Sequence, residues 1–327
     1  MEEKKTHSID DLNRLYTEGE SCDKDVWSEQ RSNILLASGE HYVNSKSKWW
    51  NRIRESRDMP NEQKLRLTQN HIHRISKTYI NNIISQSPGV MPTPNNPKEL
   101  QDQKAAELNK SVWEYAKSQH QLKLETQSWC KDYIEIGEVF VKVFWDPSAG
   151  TFVGYEQATD EMGEPLVDEM GQPVAGETAK FSGDLVFEKV YGFNVIRPSN
   201  AKTIRGSPWL CVRKMVQTKD LQAMVSDDEE KQKKITATKD ETFFIFDGSK
   251  SSYSKADNMT MVKEFYFRPC SQYPRGYYFI VCQEIELFSG ELPFGEFPLE
   301  YEGFDEIATT PRHRSIIKQL RPLQSEA

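Results

Sequence analysis

The stretch GEVFVKVFWD, residues 137–146, decides the fold class of this chain. Apolar side chains alternate or run continuously through it, and Asp146 and Pro147 then form a turn signal, so the stretch predicts a β-strand. The segment before it has the apolar period of helices, whereas most of the segment after it has the period of strands. Because helices and strands fall in separate blocks, the sequence predicts an α+β fold.

Three helical patterns precede this strand. The first spans residues 25–38, and the charged residues 1–20 before it are interpreted as a mobile tail. The other two are joined by a Pro-rich linker at 90–99, and a helical continuation runs to Ile134. The second and third patterns each carry one apolar stripe. The stripes are Ile72, Ile75, Tyr79 and Ile83 in the second pattern, and Ala105, Leu108, Val112 and Tyr115 in the third.

Strand patterns dominate the chain after residue 184. They are separated by turn residues such as Ser289 and Gly290, and one short helical pattern begins at Thr218. The predicted strands are LVFEKVYGFNVI (185–196), WLCVRKMV (209–216), TFFIF (242–246), MVKEFYFRP (261–269), GYYFIVC (276–282) and EIELFSG (284–290).

A tandem acidic octapeptide, DEMGEPLV followed by DEMGQPVA, occupies residues 160–175. It lacks the D-x-D-x-D-G spacing that places the oxygen ligands of a calcium loop. Each unit has a Met-Gly-x-Pro turn between acidic and apolar residues. The repeat is therefore interpreted as the tip of a solvent-exposed hairpin insertion spanning residues 158–180.

Composition limits the classes of function. The 327 residues carry 42 Lys+Arg against 50 Asp+Glu, a net charge of -8, so the overall field is not expected to attract nucleic acid, although a local basic patch remains an option. With 37% hydrophobic and 11% aromatic residues, the chain suits a subunit that buries surface against its neighbours. The five cysteines form no C-x-x-C pair, and no apolar run predicts a signal peptide or a membrane span.

Two tryptophans, Trp49 and Trp50, lie in the basic segment SKSKWWNRIRESR at 45–57. Basic residues interleaved with aromatic ones are typical of phosphate contacts and base stacking. The alternative is an amphipathic surface element whose tryptophans pack on the protein body or on a neighbouring subunit. The acidic character of the chain favours that alternative, so Trp49 and Trp50 are candidate interface residues.

Motifs that carry catalytic or cofactor chemistry are missing from the sequence. It contains no G-x-x-x-x-G-K-[ST] loop, no G-x-G-x-x-G after a strand, no G-x-S-x-G and no H-E-x-x-H. His71 and His73 are two apart on a predicted helix and so point to different faces. No strand end gathers carboxylates as a metal-dependent nuclease requires. The chain is not predicted to be an enzyme, and no catalytic residue, metal ligand or cofactor is assigned.

The last residues of the sequence are RSIIKQLRPLQSEA, 314–327. Ser315 is a candidate helix cap, and the apolar residues after it fall on one face until Pro322 interrupts the pattern. These apolar residues are Ile316, Ile317 and Leu320. Lys318 and Arg321 are three apart and share another face of the predicted helix.

Five segments follow one another in a fixed order between about residues 25 and 325. They are LLASGEHYVNSKSKWW, KLRLTQNHIHRISKTYINNIISQSPGVMPTP with Asn70 in the lead position of its helix, DYIEIGEVFVKVFWDP, VIRPSNAKTIRGSPWLCVRKMV and TPRHRSIIKQLRPLQSEA. Their order and spacing resemble those of the portal proteins of tailed bacteriophages, especially short-tailed phages. The last segment is similar to the S-I-I-x-x-L-x-P-x-Q-x-E signature of that family.

The resemblance implies a portal-like α+β fold with four regions. After the mobile tail, a wing-like α+β region would occupy residues 21–255 and include the hairpin insertion. A β-rich, clip-like region would follow at 256–312, and the start of a stem helix at 313–327. Because subunits of this family are longer than 327 residues, the chain is expected to be an N-terminal portion.

The function implied by the resemblance is structural. Twelve copies would form a ring at one capsid vertex, through which double-stranded DNA is packaged and ejected. The other implied partners are the terminase motor, capsid or scaffolding proteins and tail adaptor proteins, with no membrane. The implied location is the portal vertex of the virion, and the host cytoplasm during assembly. Two alternatives remain open: a phage-encoded metal-dependent nucleic-acid enzyme, and another connector or tail protein of the virion.

The terminal helix supplies the remaining candidate residues. Ile316, Ile317 and Leu320 are candidates for a subunit interface. Lys318 and Arg321 are candidates for transient contact with DNA phosphates, independent of base sequence. The alternative for these two cations is that they solvate the helix or pair with acidic side chains across a subunit interface.

Overall fold

The computed structural model of this chain has a mixed α+β fold, as the sequence predicts. It describes residues 7–39, 69–86, 89–157, 175–225, 228–238, 258–308 and 310–326. Trp49 and Trp50 lie outside the described residues, as do the predicted strand at 242–246 and nearly all of the octapeptide repeat.

Helices dominate the first part of the described chain. The longest, α1, begins with a capping box in which the Ser8 hydroxyl and the Asp11 carboxylate each accept a hydrogen bond from the other's backbone amide. In chain order the helices are α1 (Ile9–Ala37), α2 (His71–Ser85), α3 (Leu100–Gln119), α4 (Leu122–Glu135), α5 (Thr218–Met224), α6 (Glu229–Lys234) and α7 (Ile316–Glu326).

Strands follow α4 and are paired in antiparallel fashion. In chain order they are β1 (Glu138–Asp146), β2 (Phe152–Gln157), β3 (Ala175–Phe181), β4 (Asp184–Val190), β5 (Val195–Ile196), β6 (Trp209–Gln217), β7 (Met259–Phe267), β8 (Tyr277–Cys282), β9 (Ile285–Glu291), β10 (Leu299–Gly303), β11 (Asp305–Glu306) and β12 (His313–Arg314).

The strands form two main sheets and two small ones. The larger sheet has the order β5-β6-β7-β8-β9, and the second has the order β10-β1-β4. β2 and β3 pair with each other on either side of residues 158–174, so most of the predicted hairpin insertion at 158–180 lies outside the described residues. β7 pairs with β6 along its whole length, so the predicted boundary at residue 255 falls between two strands of one sheet.

The first turns of α1 correct the prediction of a mobile tail for residues 9–20, whereas residues 1–6 of that predicted tail lie outside the described residues. Leu12 and Tyr16 of α1 are buried in the main core, against the aromatic side chains of the five-stranded sheet. Gly19 allows this close approach, because a Cβ there would lie 2.5 Å from the side chain of Ile196. The charged residues between these positions concealed the helical period of a segment that buries only one narrow face.

A second core joins four helices. It contains Ala37 of α1, Ile72 and Ile80 of α2, Ile134 of α4 and Ile317 of α7. The buried face of α2 is therefore Ile72, Ser76 and Ile80, which differs from the predicted stripe. Tyr79 and Ile83 of that stripe are exposed. Isoleucines lie on two sides of this helix, and the side that also carries the small Ser76 is the buried one.

The predicted stripe of α3 is not covered by the described residues of the chain. Of the 20 residues of this fully described helix, Ala116 alone is buried. Leu108, Val112 and Tyr115 lie on one side at helical spacing, and they are 64%, 47% and 60% exposed. The helix is thus amphipathic, but the described residues of the chain do not cover its apolar side.

Candidate functional site

The region around α7 holds most of the sequence-predicted site residues. The start of α7 is fixed by Ser315. The buried hydroxyl of Ser315 donates to the Ile134 carbonyl at 2.7 Å and accepts from the Ile317 amide at 3.0 Å. Gly137 makes room for this segment: it has φ +97, and a Cβ there would lie 2.5 Å from the Ser315 nitrogen. The predicted cap is therefore confirmed, and it also ties α7 to the end of α4.

The apolar interface candidates of α7 pack inside their own chain. Ile316 and Ile317 are buried, with Ile317 fully inaccessible, and Leu320 is partly buried against the same four-helix core. The sequence therefore predicted the correct apolar face of α7. The structure uses this face to attach the helix to α1, α2 and α4.

The DNA-contact candidates of α7 both point to α1. Lys318 Nζ lies 2.6 Å from Glu29 Oε2, and the Arg321 guanidinium donates to Asn33 Oδ1 at 2.9 Å and to Ser32 Oγ at 3.3 Å. Lys318 thus pairs with an acidic residue, as one alternative proposed, but within its own chain. A phosphate would have to compete with Glu29 for Lys318.

The ends of α1, α2 and α7 share hydrogen-bond partners. Asn70 donates to the carbonyls of Leu36 and Ala37 at 3.2 and 3.0 Å and accepts from the His73 amide at 2.9 Å. Gln324 accepts from the His71 amide at 2.9 Å and donates to the Gln69 carbonyl at 2.7 Å. The residue in the lead position of α2 thus caps two helices at once.

A buried ion pair lies beneath this region. Arg197 and Glu138 are fully buried and form a bidentate pair with distances of 2.8 and 2.9 Å. Gln30 of α1 donates to the same carboxylate at 2.6 Å, and Arg197 also donates to the Pro311 carbonyl at 3.1 Å. The pair joins α1, β1, the residue that follows β5 and the segment that leads to α7.

Asp23 and Arg312 extend this network. Arg312 donates to Asp23, which is itself inaccessible, and so binds α1 to the residues just before α7. Burial raises the pKa of Asp23 in spite of Arg197 and Arg312. Burial acts in the same direction on Glu138, but the charge and hydrogen bonds of Arg197 hold the pKa of that carboxyl below its usual value.

A second buried network joins the two main sheets. Glu264 of β7 accepts from Lys142 of β1 at 2.5 Å, from Lys214 of β6 at 2.6 Å and from the Tyr266 hydroxyl at 2.7 Å. Burial opposes ionisation of Glu264, but the two lysines lower its pKa. Each charge in this network and the previous one has an opposite charge beside it, which is the arrangement of a structural clamp.

Sequence reasoning missed both networks. Their only signal is a single charged residue within or beside an apolar strand, such as Glu138 and Lys142 around VFV or Glu264 before FYF. The partners lie 59 and 122 residues apart in the chain. Spacing alone cannot show such a pairing.

The described part of the chain offers neither a metal cluster nor a membrane-spanning helix. Across the described ranges, no three or more His, Cys, Asp or Glu side chains group so that they could hold a metal ion. None of the described helices has both the length and the apolar character needed to cross a bilayer. Comparison with protein-family models and with curated proteins finds no match to this chain.

Proposed function

We propose that this chain is a structural portal subunit of a tailed bacteriophage, one of the copies that form a ring around double-stranded DNA at a capsid vertex. In that role it would dock the terminase motor during packaging, contact capsid or scaffolding proteins and later bind tail adaptor proteins. The order of the five sequence segments supports this proposal. So does one structural observation, the uncovered apolar side of α3.

The apolar side of α3 is what a ring subunit needs. Leu108, Val112 and Tyr115 are exposed among the described residues, and a neighbouring copy could cover them. A ring is built from head-to-tail contacts, in which a surface of one copy meets a different surface of the next. Exposed apolar patches of this kind mark interaction sites in soluble proteins.

The interior charges support a structural role rather than a catalytic one. The buried carboxylates Glu138 and Glu264 are bound by Arg197 and by two lysines, so neither carboxylate is open to a substrate. Such pairs fix how α1, the two sheets and α7 sit against one another. In a ring subunit, these pairs would hold the elements in place while DNA passes through the channel.

The net charge of -8 is compatible with DNA sliding. Each phosphate contact adds a salt-dependent increment of affinity, and many such contacts would slow passage. Lys318 remains 42% exposed beside Glu29, so it could exchange that partner for a phosphate only transiently.

Negative-stain electron microscopy of the purified complete gene product tests the proposal. A ring with a central channel is the expected result. The variant Leu108→Ser should weaken ring assembly, whereas the neighbouring exposed variant Asn109→Ser should assemble like the parent. A protein that stays monomeric at every concentration would contradict the proposal. Nuclease activity that requires a metal ion would favour the enzyme alternative instead.

A further inference from the structure

An open cleft lies between α2 and α4. Its volume is about 380 Å³, which is within the range of small-molecule sites, roughly 300–1,000 Å³. The residues of α2 that line it are His73, Lys77, Ile80 and Asn81, and those of α4 are Leu124, Gln127, Ser128, Lys131 and Glu135. Nothing in the proposed portal function uses this cleft.

Positive charge dominates the cleft. Lys77 projects from α2 and Lys131 from α4, so one ammonium group stands on each wall, and both residues are exposed. Asn81, Gln127 and Ser128 add hydrogen-bond donors and acceptors to the lining. Two ammonium groups on facing walls are an arrangement that favours a compact anion.

Glu135, the carboxylate among the described lining residues, cancels this charge only in part. It is buried, and its Oε2 lies 3.9 Å from Lys131 Nζ. Burial raises the pKa of Glu135 to about 7, with Asp132 acting in the same direction and Lys131 and Lys189 opposing it. Around neutral pH a large share of this carboxyl therefore carries a proton that it can donate to an anion.

The neighbouring charges form their own pair. Lys189 of β4 lies 3.1 Å from Asp132 and donates to Ser128 at 2.8 Å. This pair contributes no net charge to the cleft. The charged groups that act on Glu135 are Lys131 and Asp132 from α4 and Lys189 from β4. His73 and Lys77 line the α2 side of the same cleft.

We propose that the cleft between α2 and α4 binds a phosphate group, held by Lys77 on one wall and Lys131 on the other. Glu135, in its protonated form, donates a hydrogen bond to the same group. The phosphate can be free or part of a nucleic-acid backbone, since both present the same oxygens. A cationic ligand is disfavoured, because the two ammonium groups would repel it.

Calorimetric titration of the protein with sodium phosphate, sodium sulfate and a short DNA duplex, at constant ionic strength, tests this site. Saturable binding of phosphate and sulfate is the expected result. The double variant Lys77→Ala/Lys131→Ala should lose at least about tenfold in affinity. The matched control is Lys104→Ala/Lys110→Ala, which removes two exposed lysines of α3 outside the cleft and should bind like the parent.

Sulfate also tests the role of Glu135, because this anion keeps the same charge between about pH 6 and 8. Its affinity should fall as pH rises through about 7, where Glu135 loses its proton. The variant Glu135→Gln should reduce this fall, since a neutral amide still donates a hydrogen bond at the upper end of this range. A fall of the same size in the parent and in Glu135→Gln would overturn the role of Glu135.

The two sources of phosphate give different results. Binding of the duplex alone, weakened in Lys77→Ala/Lys131→Ala but not in the control, would assign the site to a nucleic-acid backbone. Absence of saturable binding for all three ligands would overturn the proposal, as would parental affinity in the double variant. Thermal unfolding of each variant shows that the fold is retained. Loss of this site would leave ring assembly unaffected, so its failure can be distinguished from a failure of the portal proposal.

Discussion

Helices α3 and α7 are both amphipathic, but the described residues of the chain cover the apolar side of α7 and leave that of α3 exposed. In α7 the apolar residues enter a four-helix core, and both cations bind side chains of α1. In α3 the apolar residues Leu108, Val112 and Tyr115 remain exposed. The difference teaches that an apolar stripe predicts a covered face, but not which molecule covers it.

The largest loss of stability is expected when the ion pair between Arg312, just before α7, and Asp23 of α1 is broken. The variant Arg312→Met removes the partner of the buried Asp23 carboxylate. Removing one partner of a buried ion pair costs about 3–5 kcal/mol, so the free energy of unfolding measured in urea should fall by that amount. Lys117→Met on α3 is the control and should change stability by less than about 0.5 kcal/mol. Equal stability of the two variants would show that the pair between Arg312 and Asp23 does not stabilise the attachment of α7.

A direct comparison of the two stripes comes next. Ile317→Ala should destabilise the chain by about 2–4 kcal/mol, because the side chain is fully buried and leaves a cavity. Leu108→Ala should be nearly neutral in the isolated chain, because its side chain is 64% exposed. Thermal denaturation measures both. If the two variants lost similar stability as monomers, α3 would have to be covered by its own chain.

The helix cap should have an intermediate effect. Ser315→Ala removes the acceptor of the Ile317 amide and the donor to the Ile134 carbonyl. A loss of about 1–2 kcal/mol is expected from a cap with two partners. Ser315→Thr should keep most of the stability because it keeps the hydroxyl. A neutral Ser315→Ala would mean that the cap does not fix the start of α7.

The smallest effect is expected from Lys318. Its pair with Glu29 is partly exposed, so Lys318→Ala should cost less than about 1 kcal/mol and less still at high salt. A double-mutant cycle with Glu29→Ala measures the coupling. If DNA packaging by the complete ring changes in Lys318→Ala/Arg321→Ala while assembly does not, these cations contact DNA as well as α1.

The sequence predicted the elements better than their partners. The strand at 137–146 and the helix after Ser315 were correct because each shows one clear period over its length. In α2 the isoleucines fit two stripes, and only the packing against α4 and α7 selects Ile80 over Tyr79 and Ile83. The local sequence pattern does not show which of the two stripes of α2 is buried.

The candidate site shows the same limit. Lys318 and Arg321 were correctly placed on one face, but their partners on α1 are 289 and 288 residues away. Arg197 and Glu138 are also far apart in sequence, so local spacing does not reveal their ion pair. The cleft between α2 and α4 arises only when Lys77 and Lys131 are brought together by the helix packing. Physical contact across the chain, rather than residue type, defines these sites.

The shared hydrogen bonds of Asn70 and Gln324 have a consequence for the motion of the molecule. If α7 lifted away, the first amides of α2 would lose Gln324 as an acceptor, and if α2 frayed, the last carbonyls of α1 would lose Asn70 as a donor. The three helix ends should therefore open as one cooperative unit. In native-state hydrogen exchange, the amides of His71, His73 and Ile317 should then report a single opening free energy, and Ser315→Ala should lower it for all three together.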